Sequence, residues 1–135
     1  MSRRQRGQSL VEFALVLPVL LIILMGIFDF GRAIFAYNAV SNAAREGMRV
    51  AIVNQNAAAI EAEALAATTG MDPTQITVTF TPCTGATTLG CMVKVRVAYN
   101  WSAITPIIGT VVGPRELATE AAMVVERIYS APPTP

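Results

Sequence analysis

The chain contains no histidine. That absence removes the commonest general base at neutral pH and the commonest metal ligand. Cysteine is almost as scarce, with Cys83 and Cys91 alone. Two thiolates do not make a four-ligand zinc site, and their wide spacing lacks the C-x-x-C geometry of redox thiols. Charged residues are only 14% of the chain, and they nearly cancel to a net +1. No basic stripe is present to meet phosphates, so a nucleic-acid partner is not expected. No Ser or Cys has a base placed to activate it. The acids Glu61 and Glu63 are two apart on an expected helix and point in different directions. These absences argue against an enzyme, and they imply no metal and no cofactor.

What the chain has instead is apolar mass, 53% of its residues. Much of it lies in one run from Leu10 to Phe28, whose only charged residue is Glu12. At 1.5 Å per residue such a helix is about 28 Å long, close to the roughly 30 Å hydrocarbon thickness of a bilayer. Arg3, Arg4 and Arg6 precede the run and no acid does. Excess basic charge holds that end in the cytoplasm, so a single pass with the N-terminus in and the C-terminus out is expected. Without residues 1–7 the remainder carries a small net negative charge. A cleaved secretory signal fits less well, because the apolar core is long and Ala33 to Ala36 is a poor cleavage site.

Two residues inside the run stand out. Glu12 places a carboxylate in an apolar helix, at a cost of about 2.5–3.5 kcal/mol at a bilayer centre and less near the interface. Either it snorkels to the headgroups or it has a specific partner, and physics alone leaves both open. Pro18 removes a backbone donor and conflicts with the carbonyl of Ala14, so a kink or local loosening is expected there. That kink is either passive or helps the subunit leave the bilayer.

The ordered pattern from Arg6 to Arg49 closely resembles the TadE-like family. It reads RGQSLVEFALVLPVLLIILMGIFDFGRAIFAYNAVSNAAREGMR. Its marks are a Gly followed by four residues and then Glu-Phe, then LP within the apolar run, then DFGRA, then SNAAREG. That family comprises minor pseudopilins of the tight-adherence (Tad/Flp) branch of type IV pilus machinery. The resemblance implies that a prepilin peptidase cuts after Gly7, so that the mature chain starts at Gln8. Type IV pilins commonly begin with Phe, and Flp-type major pilins usually have Tyr where this chain has Phe13. Both departures leave N-methylation of the new terminus open. Cleavage would create an ammonium group at Gln8, and Glu12 lies one helical turn on, about 6 Å along the axis. The resemblance therefore implies that Glu12 pairs with its own or a neighbouring N-terminus and sets the register of subunits.

Outside the span remain enough residues for one small domain. Asp29 and Arg32 read as an i, i+3 pair at the exit from lipid, and Phe28, Phe30, Phe35 and Tyr37 as an interfacial aromatic belt. Small and apolar residues recur at Ala36, Val40, Ala43, Gly47 and Val50, continuing the helix to about residue 53. That stripe is expected to pack on the protein's own sheet toward its C-terminal end and on another subunit elsewhere. Asn54-Gln55-Asn56 ends the helix, and a second helix is predicted over 57–68, stopped by Gly70 and Pro73. Residues 75–81 and 92–101 alternate apolar and polar side chains and read as two strands of a hairpin. In an extracytoplasmic setting, Cys83 and Cys91 are expected to form a disulfide across its loop. The apolar segment 104–112 is a short turn or helix under the sheet, or a patch against the membrane. Residues 115–128 suit a helix by composition and a strand by alternation. The resemblance, and the marginal stability of a two-stranded sheet, favour the strand.

The expected fold class is α+β, a long N-terminal helix followed by a small antiparallel sheet of about three strands. The expected divisions are a leader at 1–7, a pilin-like helix at 8–53, an extracytoplasmic domain at 54–130 and a disordered tail at 131–135. The expected function is that of a structural subunit for assembling an adhesive Flp-type pilus. Its partners would be the prepilin peptidase, other pilin or pseudopilin subunits, the assembly platform and membrane lipid. It would reside in the cytoplasmic membrane, with an extracellular pilus as a further destination. The alternative is an uncleaved, signal-anchored protein with an extracytoplasmic binding domain.

Overall fold

The computed structural model describes residues 3–83 and 90–126, with side chains from residue 7 onward. Helix α1 runs from Arg3 to Ala51 without a break, passing through Pro18. At 1.5 Å per residue it is about 74 Å long. Its first half and second half have different environments. The most apolar stretch of the helix has no buried residue, and the helix is long and apolar enough to cross a membrane. From Ala36 onward one face is buried, at Ala36, Val40, Ala43, Ala44, Met48 and Ala51. The small-residue stripe therefore packs on the protein's own sheet over its C-terminal part. Residues 3–7 are part of the helix, which stops two residues before the expected end at 53.

A turn follows, and Asn56 opens helix α2 (Ala57–Ala66) by accepting the amide of Ala58 at 3.0 Å. That satisfies one of the donors every helix start leaves unpaired. Ile60 and Ala64 are its buried residues, and they face Gly47 of α1. A Cβ on Gly47 would lie 3.2 Å from Ala64 Cβ and 3.2 Å from Val95 Cγ1. The two helices and the sheet meet there closely because that side chain is missing. A short 3-10 turn, Pro73–Gln75, then leads into the sheet. Asp72 caps it, and the hydroxyl and amide of Thr74 hold the Asp72 carboxyl below its ordinary range.

The sheet is antiparallel, with strands β1 (Ile76–Thr81), β2 (Met92–Trp101) and β3 (Arg115–Val124) in the order β1-β2-β3. Val78 pairs with Val97 and Phe80 with Val95 across the first ladder. Val95 pairs with Ala121 and Val97 with Thr119 across the second. Val93, Val95 and Val97 are fully buried and form the core with Val40, Ala43, Ala44 and Met48 of α1. The other face is polar and carries two cross-strand ion pairs, Lys94–Glu120 at 2.9 Å and Arg96–Glu116. Both are half exposed, so they contribute little to stability. Alternation in 115–124 thus reports a strand, not a helix. Pairing with β2 along its whole length settles the ambiguity of its composition.

Between β2 and β3 lies a short helix, α3 (Pro106–Val112). Pro106 starts it, and Gly113 ends it with φ 68°, a conformation that favours glycine. No residue of α3 is buried. It lies beside the apolar half of α1, where a Cβ on Gly26 would meet Ile108 Cδ1 at 3.4 Å. Of the alternatives for 104–112, the structure selects the helix, set against α1 and not under the sheet. Cys83 and Cys91 are joined as a disulfide, with Cα atoms 6.1 Å apart. The loop centre at 84–89, the C-terminal end of the 115–128 segment and the tail at 131–135 lie outside the described residues.

Candidate functional site

The anchor half of α1 is helical for two reasons. Its residues are mostly Leu, Ile, Val, Ala and Met, and in lipid a helix satisfies every backbone group within one segment. That regularity places Gly7, Gln8, Val11, Glu12 and Leu15 along one shallow surface. Gln8 and Glu12 are one turn apart on it, and Glu12 is solvent-exposed in the isolated chain. Pro18 lies about 9 Å further along the axis. The disulfide is elsewhere. Cys83 and Cys91 pack against the core near the far end of α1, where Gln55 Nε2 donates to Cys83 Sγ at 3.9 Å. Gly7, Gln8 and Glu12 therefore share one face, and the cysteines belong to the head.

A second constellation sits where the anchor meets the head. Asp29 follows the apolar run directly and is 4% exposed. The backbone N–H of Ile104 donates to its Oδ1 at 3.0 Å, and the N–H of Thr105 donates to its Oδ2 at 3.1 Å. Arg32 Nη1 also reaches Oδ1, at 3.4 Å. The sequence pattern revealed the Arg32 contact but not the two amides. Their donors lie 75 and 76 residues away, and no local spacing encodes such a pairing. The carboxylate thereby ties the β2–α3 connection to the head end of the anchor. Phe28, Phe30, Phe35 and Tyr37 are exposed around this level.

Among the described residues no group of three or more His, Cys, Asp or Glu could hold a metal ion. The arrangement is that of a membrane-anchored protein whose anchor helix continues into the core of a small α+β head. The family model described as TadE-like protein matches residues 7–49, about a third of the chain. The match covers both halves of α1, from Gly7 through the buried stripe, and it associates the chain with the Tad pilus. No curated protein and no solved structure gives a significant match.

Proposed function

We propose that this protein is a pseudopilin, a minor structural subunit required to assemble an adhesive Flp-type pilus. The observation that carries the reading is the TadE-like match on a helix that is exposed and apolar at one end and core-forming at the other. A prepilin peptidase removes residues 1–7 on the cytoplasmic face and exposes the α-amino group of Gln8. Glu12 lies on the same face one turn away and is the natural partner for that ammonium group, in the same subunit or the next. In a low-dielectric setting an unpaired partner is costly, so the pair fixes axial register. Pro18 loosens the helix within the span and aids passage from bilayer to fibre. The head then faces the other subunits and the assembly platform outside the cytoplasm.

N-terminal sequencing of the protein from native membranes tests the reading. A mature chain beginning at Gln8 supports a pilin-type precursor. A chain beginning at Met1 or Ser2 replaces it with an uncleaved anchor.

A further inference from the structure

The β2–α3–β3 connection is unusual for a surface loop. No charged residue occurs between Arg96 and Arg115. Its large apolar side chains point away from the head, with Ile104 71% exposed, Ile107 54% and Val111 80%. Exposed apolar surface of this kind marks a contact. Its position says with what. Leu21, Ile22 and Met25 of α1 form one continuous apolar surface with Ile104, Pro106 and Ile107. Ile108 faces Gly26. Phe28 is the last residue of the apolar run, so contacts at 21–26 lie about 3–10 Å inside its head-side end. That is the depth at which interfacial helices lie, about 5–10 Å below the headgroup boundary.

We propose that α3 is embedded in the head-side leaflet of the membrane that α1 crosses, with Ile107 and Val111 against lipid acyl chains. The inference rests on α1 spanning that membrane. Continuity of the two apolar surfaces argues for lipid over a protein partner. Whatever solvates Leu21, Ile22 and Met25 also meets α3. Asp29 makes the arrangement possible. Its two bonds from Ile104 and Thr105 satisfy the amides that lead the chain down, and they mask a carboxylate that would face the boundary. The head is thus attached at two points, the span and a shallow wedge, and its tilt relative to the bilayer is fixed.

The test uses the full-length protein in phosphatidylcholine–phosphatidylglycerol vesicles. Nitroxide labels are placed separately through Val111→Cys, Leu24→Cys and Thr79→Cys, without reductant so that the disulfide persists. Collision with oxygen and with an aqueous nickel chelate reports depth. The expected oxygen-to-nickel ratio at 111 approaches that at 24 and is several-fold above that at 79. Nickel access at 111 with lipid at 24 overturns the proposal and leaves the span intact. Low collision with both reagents at 111, with lipid at 24, shows a protein cover and also overturns it. Nickel access at 24 removes the span itself, and the proposal with it.

Discussion

Ser41 Oγ on α1 lies 3.1 Å from Thr119 Oγ1 on β3, across 78 residues of sequence. Ser41 is buried, so the two hydroxyls serve as each other's partner where helix and sheet meet. A bond of this kind contributes about 0.5–1.5 kcal/mol net, and losing one partner strands the other. Ser41→Ala is expected to destabilise the head by about 1 kcal/mol. Combining it with Thr119→Val should recover part of that loss. Denaturant melts of the four proteins in a double-mutant cycle measure the coupling.

Gly47 stands at the tightest crossing in the head. A methyl there would sit 3.2 Å from two side chains, Ala64 and Val95. Gly47→Ala sets that crowding against a helix-propensity gain of about 1 kcal/mol, so the expected change is within about 1 kcal/mol. Gly47→Leu gains nearly the same propensity but forces a far larger side chain into the crossing, so it is expected to cost about 1–3 kcal/mol or more through overpacking. Melts of the two variants check the difference in sign and size.

Asp29 is expected to control the amides of Ile104 and Thr105. In the native protein both should exchange hydrogen slowly, since each donates to a buried carboxylate. Asp29→Ala removes both acceptors, and Asp29→Asn turns one of them into a donor facing a donor. Fast exchange at Ile104 and Thr105 in both variants, with the β2 amides still protected, is the expected pattern in detergent-solubilised protein. Unchanged exchange would show that the tether does not hold the segment.

Glu12→Leu is expected to abolish or strongly reduce pilus assembly while leaving insertion and cleavage after Gly7 intact. Membrane fractionation and N-terminal sequencing check the second part, and electron microscopy of cells checks the first. Glu12→Gln keeps the shape and loses the charge. Assembly that survives both changes would remove the register role of Glu12.

Much of this architecture is legible in the sequence because it follows from periodicity. Val93, Val95 and Val97 alternate with Lys94 and Arg96, and they are the buried and outward faces of β2. Ala36, Val40, Ala43 and Gly47 recur at helical spacing, and all four are buried. The segment 115–124 resists reading because its Ala and Glu favour a helix while its alternation favours a strand, and the choice is made by ten residues of pairing with β2. The Asp29 tether resists for another reason. It joins a side chain to backbone amides, which every residue but proline carries, so the partners leave no mark in composition. The same holds for α3, whose apolar residues leave open in the sequence whether the segment lies under the sheet or against the membrane.

One unbroken rod serves as both stem and keel, since α1 carries the lipid-facing half and the buried stripe without a joint. Torque or tension applied between Pro18 and Ala36 therefore reaches the head along one continuous helix. A neighbour that grips the greasy half also dictates which way the sheet faces. Trimming the stem for a soluble fragment removes the head's own backbone once the cut passes Ala36.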